Sequence, residues 1–303
     1  MELDFIRRSV LSVPASGERM IAKARILRVD QVLLDLEDSV SPDMKSTARK
    51  NLSILNHSDF VAPVVSVRIN SLATDWVHGD FQLLKAGVGN WVDSVMIPKV
   101  STVDDIALVD TELARIEKSL GRDLESIAID VQIESARGLV NCEAIAHAPR
   151  VQSLNFGPAD FMADIGMTSE EVTSNQYALM RTLVAARAAG ILTIDGPTLE
   201  VRDLSKFEAS AQIAAEMGCD GKWVLHPDQI DSCHKIFTPS QERFDEASCL
   251  LEAYQHFTSS NGGSKGAAIY KGAMIDEASR KMALAVWRRG DAAGLKANRH
   301  FTP

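Results

Sequence analysis

Short β-branched runs recur along this chain at near-regular intervals, and between them the apolar residues switch to helical spacing. The runs are Ser9–Ala15, Gln31–Asp38, Pro63–Asn70, Ser94–Val100, Ile127–Ser135, Val151–Asp160, Ile191–Pro197 and Gly221–Pro227. Such lengths suit parallel strands buried on both faces, which read as almost continuous apolar stretches. The intervals predict amphipathic helices over Gly17–Arg28 (Met20, Ile21, Ala24 and Leu27 on one face), Val103–Leu120, Glu143–Ala148, Asn175–Ala189 and Leu204–Met217. Another spans Pro42–Leu55, with Ser41 as N-cap and Pro42 at the first helical position. Gly190 and Gly218 stand just past two of these helices, where a left-handed residue is wanted. Strand–helix alternation of this kind builds βαβ units and a parallel sheet. Eight units over roughly 220 residues fit a closed (β/α)8 TIM barrel better than an open sheet. A dinucleotide fold would need G-x-G-x-x-G directly after a strand; Gly87-Val88-Gly89 lacks the third glycine and precedes one.

The polar residues sharpen the reading. Most runs are apolar at their start and carry Asp, Glu, Arg, Lys or His at their end. A barrel brings the carboxyl ends of all its strands to one face, where such a fold carries its active site. Residues 1–239 are therefore expected to form the barrel domain, and residues 240–303 a C-terminal helical extension bearing a lid segment. In the extension, helices are read over Arg243–Phe257 and Glu277–Arg289, either side of the glycine-containing loop Ser259–Ser264.

Composition excludes several classes of partner. With a formal net charge of −9 the chain lacks the concentrated positive surface that nucleic acid requires. Its four cysteines, Cys142, Cys219, Cys233 and Cys249, form no C-x-x-C pair, which suits a reducing compartment. The start Met1–Phe5 is acidic with no apolar h-region, and no segment has the uninterrupted apolar length of a membrane span. A soluble, cytoplasmic protein is expected.

Glu134 ends the fifth run and Asp160 the sixth. Two carboxylates at neighbouring strand ends need a cation to coexist ionised at neutral pH. Magnesium suits them, being a hard ion held by one or two carboxylates with water and substrate oxygens completing an octahedron; manganese is the alternative. Taken singly, each carboxylate reads as well as a helix cap. Gly157-Pro158-Ala159-Asp160 then turns into a helix start, so that Gly157, Ala159 and Asp160 are read as a site for a substrate carboxylate, held by the N–H groups of Ala159 and Asp160. Glu37 and Asp38 close the second run, too acidic for a strand end unless they face a metal shell or a cation, so as catalytic residues one is expected to orient metal-bound water and the other to pair with a nearby base. Asp35 lies deeper and is expected to be structural.

Several segments, in order, carry a resemblance: RSVLSVPASGERMIAKA, LDLEDSVSPDMKSTAR, VRIN, IPKV, IESARGL, LNFGPADFMADIG, AARAAGILTIDGP, GCDGKWVLHPDQI and GAMIDEA. Together they resemble the citrate lyase β-subunit-like family of the HpcH/HpaI aldolase superfamily, which includes malyl-CoA and citramalyl-CoA lyases. The likeness runs over residues 7–285. It implies a magnesium-dependent carbon–carbon lyase acting on a hydroxyacyl-CoA thioester to give acetyl-CoA and a small 2-oxo acid. It implies Glu134 and Asp160 as the metal ligands and Arg68 as the group stabilising an enolate oxyanion. It places Arg19 and Lys23, one helical turn apart, against the phosphates and adenine of coenzyme A. It also implies that Asp276, on a C-terminal lid, moves a proton at the thioester methyl carbon in the site of an adjacent subunit, and hence a homo-oligomer, a trimer or hexamer. The proline usual after that motif is replaced here by Glu277-Ala278-Ser279. Lys99 and His226 are read as minor, the latter as loop-shaping beside Asp195-Gly196-Pro197. Rival activities are a citrate lyase β subunit acting on a carrier-protein thioester, a malyl-CoA thioesterase and a malate-synthase-like condensation. A catalytically silent assembly subunit is the rival of another class; it should have lost Glu134, Asp160 or Arg68.

Overall fold

The structure, a computed structural model, describes residues 6–168 and 175–302. The acidic start Met1–Phe5 lies outside them. Eight parallel strands close into a barrel in chain order: β1 (Ser9–Pro14), β2 (Gln31–Asp35), β3 (Val64–Arg68), β4 (Ser94–Ile97), β5 (Ala128–Ile133), β6 (Val151–Phe156), β7 (Leu192–Asp195) and β8 (Gly221–Val224). β1 pairs with both β2 and β8, which seals the cylinder. All eight start within a residue of the expected runs. They stop earlier, and closing residues such as Glu37, Asp38, Lys99, Glu134 and Asp160 lie beyond the strands.

β2, β3, β4 and β6 are buried along their whole length, as expected of strands sandwiched between a filled interior and a jacket of helices. The helix Val103–Leu120 shows the complementary pattern, burying Ile106, Val109, Leu113 and Ile116 at three- and four-residue steps. Gly190 and Gly218 end their helices with φ of 72° and 114°. Two expectations are corrected and one helix is added. Met20 is 51% exposed, so the helix Glu18–Ala24 buries only Ile21 and Ala24. Ser41 precedes a single 3-10 turn and its side chain makes no capping bond. The helix Trp76–Lys85, which the sequence reading passed over, packs between β3 and β4 in chain order.

The interior is not uniformly apolar. Val10, Leu33, Met96, Ile194 and Trp223 form a cluster midway. Beneath it, at the strand starts, Asp130 accepts bonds from Arg7, Ser94, Ser153, Gln31 and Gln152. β2, β4, β5 and β6 thus carry polar residues near their starts as well, through Gln31, Ser94, Asp130 and Ser153, against the apolar-start expectation. Residues Arg7–His234 form one compact unit. Among the described residues no helix is long and apolar enough to cross a membrane.

Residues 235–302 form a second unit. Its helices Gln241–Thr258 and Glu277–Ala292 stack Phe244 on Trp287 at 6.4 Å between ring centroids. Between them lies a hairpin of β9 (Ala268–Tyr270) and β10 (Ala273–Ile275). Its two-residue turn, Lys271 and Gly272, has positive φ at both positions, the geometry whose twist matches paired strands.

Candidate active site

Alternation along the strands decides which side chains reach the barrel mouth. Asp35 and Glu37 on β2 and its loop, Arg68 on β3, and Gln132 on β5 with Glu134 just past its end share the inward parity, with Lys99 entering from the loop after β4 and Asp160 from the helix start after β6. Arg68 is the hub. Its Nε and Nη2 donate to the two oxygens of Asp35 at 2.7 and 2.6 Å, a fork-on-fork pair. Its Nη1 donates to Gln132 Oε1 at 3.2 Å and lies 3.3 Å from Glu37 Oε2. Gln132 passes the connection on, donating through Nε2 to Glu134 Oε2 at 2.7 Å. Asp35 is fully buried, which alone would raise its pKa. The charge and hydrogen bonds of Arg68, with the Ser39 hydroxyl and the Glu37 N–H, outweigh burial and hold it below the usual carboxylate range.

Lys99 binds the other side of the cluster. Its Nζ donates to Glu37 Oε1 at 2.7 Å and Asp38 Oδ2 at 2.9 Å and stands 4.0 Å from Asp160 Oδ1. Its backbone N–H donates to Glu134 Oε1 at 2.6 Å. Lys45, buried, caps the carbonyls of Leu36 and Glu37 at 2.7 Å each. Asp35, Glu37, Asp38, Glu134 and Asp160 thus face Arg68, Lys99 and Lys45, which leaves two negative charges without a cation. Glu134 feels this most. Burial first, and the neighbouring Asp160 charge second, push its pKa up to about 8. Burial also raises Glu37. No three His, Cys, Asp or Glu side chains among the described residues form a closed metal cage. An uncompensated pair of hard oxygen donors, one buried and one 45% exposed, fits a divalent ion that keeps several positions for water or substrate.

Asp160 is not at a strand end. It sits in the first turn of the helix Pro158–Asp164, behind Gly157 as N-cap and Pro158. The amide of Gly157 is spent on Ile133 O at 2.9 Å, so this residue has no N–H to offer a ligand. What it gives is space: a Cβ there would stand 2.6 Å from both Cβ and Oε2 of Glu134 and 3.0 Å from Gln132 Nε2. Beside this turn a cavity of about 330 Å³ is lined by Pro158, Ala159, Asp195, Pro197 and Lys222, among others. Lys222 is buried and fixes the cavity wall through Asp195 Oδ2 (2.5 Å), Gly196 O (2.6 Å) and Ser210 Oγ (3.0 Å). His226 turns instead to Asp228.

The structure therefore brings Glu37, Asp38, Arg68, Glu134 and Asp160 to one mouth. Arg19 and Lys23 are exposed on the helix that follows β1. Asp276 belongs to the second unit, where it caps the helix Glu277–Ala292. Its Oδ1 accepts the Ser279 N–H and hydroxyl at 2.9 and 3.0 Å, and the first of these bonds leads in holding its pKa below the usual value. Sequence reading undervalued Lys99 and passed over Gln132; it expected Asp35 to be structural, and as the clamp on Arg68 it is.

The model of the HpcH/HpaI aldolase/citrate lyase family matches residues 8–227, the whole barrel from β1 onward. The chain belongs to that family. As a member it is a carbon–carbon lyase. Among its relatives is an L-malyl-CoA/β-methylmalyl-CoA lyase of Cereibacter sphaeroides, 36% identical, with 92% of each chain covered. The citrate lyase β subunit of Escherichia coli is 31% identical over 96% of this chain and 95% of its own. Among solved structures, the CitE protein of Mycobacterium tuberculosis in complex with magnesium, acetoacetate and coenzyme A superimposes with a TM-score of 0.74. It is 27% identical and covers 95% of this chain and 100% of its own.

Proposed function

We propose that the protein cleaves a malyl- or citramalyl-type thioester of coenzyme A to acetyl-CoA and a 2-oxo acid, glyoxylate or pyruvate. The observation that carries the reading is the uncompensated carboxylate pair, Glu134 and Asp160, beside a clamped Arg68. Glu134 and Asp160 would hold magnesium, the ion of the mycobacterial complex, which supplies Lewis acidity to the hydroxyl and carboxylate oxygens of the substrate. The N–H groups of Ala159 and Asp160 at the helix start orient that carboxylate.

In the cleavage direction the substrate hydroxyl gives its proton to solvent water, the adjacent carbon–carbon bond breaks, and its electron pair passes to the thioester as an enolate. Arg68 faces that charge. Asp35 and Gln132 take three of its five N–H groups and Glu37 stands 3.3 Å from Nη1, so the second N–H of Nη2 is the one left to donate to the enolate oxygen. A guanidinium so clamped cannot turn away as charge develops. Glu37 and Asp38 serve by fixing Lys99 and Arg68. Arg19 and Lys23, exposed and one turn apart, meet the nucleotide phosphates of coenzyme A.

Asp276 delivers the proton that turns the enolate into acetyl-CoA, and by reversal takes it from the methyl group in condensation. Ile269 and Met274, cross-strand partners on the hairpin before it, are 67% and 64% exposed, an apolar face that a second copy of the chain would cover. The assembly is accordingly a homo-oligomer, trimer or hexamer, in which the extension closes a neighbour's barrel.

Incubation with Mg²⁺, acetyl-CoA and either pyruvate or glyoxylate, with products identified by mass, tests the substrate. The expected products are citramalyl-CoA or malyl-CoA; free malate or citramalate as the first product would favour thioesterase chemistry. Mixing Asp276→Ala with Arg68→Ala protein tests the shared site. Activity should partly return on subunit exchange, and its absence despite proven exchange would place Asp276 outside a neighbour's site.

A further inference from the structure

We propose that Lys99 is a positioning residue that keeps Glu37 and Asp38 off the divalent cation, and so holds open the coordination positions the substrate uses. The inference rests on the reading of Glu134 and Asp160 as the metal's carboxylates. It is carried by a geometry in which one residue meets four carboxylates of the mouth. The ammonium is bonded to Glu37 and Asp38 at 2.7 and 2.9 Å and stands 4.0 Å from Asp160, while the N–H of the same residue grips Glu134 at 2.6 Å.

Chemically, nothing separates the Glu37–Asp38 pair from the Glu134–Asp160 pair. All four are hard oxygen donors at one mouth, and a magnesium or manganese ion would accept any of them. What differs is the counter-charge. Glu37 is buried and shared between Lys99 and Arg68, whereas the Asp38 side chain is 57% exposed and has Lys99 as its bonded cation. Without the ammonium, Asp38 is free to rotate toward the metal, and Glu37 loses the shorter of its two ion pairs, keeping Arg68 and the Asp38 N–H. Each carboxylate so recruited removes one open position and adds one negative charge facing an anionic substrate.

The backbone supports a selected role. Lys99 has φ of +55°, a region that residues with a Cβ enter rarely and glycine enters freely. A glycine would keep the N–H bond to Glu134 without strain. A lysine here adds the ammonium, a compact donor of three hydrogen bonds, at the point where the two carboxylate pairs meet.

The test uses Mn²⁺ as the probe, with free Mn²⁺ read by EPR and metal-bound water by proton relaxation, on the full-length protein. Lys99→Met and Lys99→Gly should bind Mn²⁺ about tenfold or more tightly than wild type, because a repelling charge is lost and a ligand gained. They should also show fewer exchangeable waters on the metal and weaker binding of pyruvate to the Mn²⁺ complex. Lys99→Arg, which keeps the charge, should stay near wild type in all three. The glycine variant relieves the backbone, so it serves if the methionine variant folds poorly. Unchanged or weaker Mn²⁺ binding in both neutral variants, or an unchanged water count, would overturn the proposal. Failure of the underlying metal reading shows separately, as equal Mn²⁺ binding by wild type and Glu134→Gln.

Discussion

The two ends of the barrel interior are built from similar parts and left in opposite states. Each has a buried Arg–Asp pair: Arg7 with Asp130 at the floor, Arg68 with Asp35 at the mouth. At the floor the surrounding groups are neutral, and Ser94, Ser153, Gln31 and Gln152 complete the acceptor capacity of Asp130. Charge and hydrogen bonding close on themselves there. At the mouth the same pair is ringed by further carboxylates, and Glu134 is left with its pKa near 8. The floor is a finished network that specifies the strand starts, whereas the mouth is one that, on the function proposed here, a cation and an anionic substrate would complete. Polarity alone does not mark a site; polarity with unmatched charge does.

Substitutions at the two ends should separate along this line. The largest effect is expected at the floor, where Asp130→Ala leaves Arg7 buried and unpaired. Loss of one partner of a buried pair costs about 3–5 kcal/mol. Chemical denaturation should show it, with Mn²⁺ affinity of the folded fraction unchanged; a drop in metal affinity would erase the distinction drawn here. At the mouth, Arg68→Lys should lower kcat by ~10²-fold or more, since a point charge replaces a clamped fork. A raised KM at constant kcat would instead make Arg68 a binding group only. Next, Gly157→Ala forces a Cβ against Glu134 and Gln132, an overpacking worth about 1–3 kcal/mol. Metal affinity should fall with it, and a variant of normal metal affinity would show that Gly157 does not set the position of Glu134.

The smallest effect is on pH dependence. Asp35 titrates lower in the folded protein than its ordinary 3.8, so it binds fewer protons folded than unfolded in the acid range. Its contribution is complete above that ordinary value and is lost as pH falls through the depressed one. Thermal melts between pH 5 and pH 2 should show this acid limb, and Asp35→Asn should remove its share of it. An identical limb in the variant would mean that other carboxylates govern acid unfolding.

The sequence exposes Glu134, Asp160 and Arg68 because each interrupts or closes an otherwise apolar run, and a barrel gathers such closures on one face. It exposes less of what holds them. Gln132 looks like an ordinary strand residue until inward parity sets it between Arg68 and Glu134. The reach of Lys99, from the loop after β4 to the carboxylates after β2, depends on a long flexible stem and a left-handed backbone, neither of which leaves a periodic trace. The floor network was missed for the same reason: Gln31, Ser94 and Ser153 are unremarkable singly and meaningful only once strands in register place them together. The hairpin before Asp276 had a local signal, Lys-Gly between short apolar runs, but three-residue strands are too short for alternation to declare itself.

Turnover in the presence and absence of chelator tests the central claim most directly. Protein stripped with EDTA should cleave neither malyl-CoA nor citramalyl-CoA, and Mg²⁺ or Mn²⁺ should restore cleavage of at least one. Glu134→Gln and Asp160→Asn, folded as judged by their melts, should lose more than ~100-fold and respond to neither ion, a larger effect than removal of groups that merely support a metal ligand. Full activity in chelator, or wild-type turnover by either variant, would contradict the assignment of the mouth as a metal-dependent lyase site.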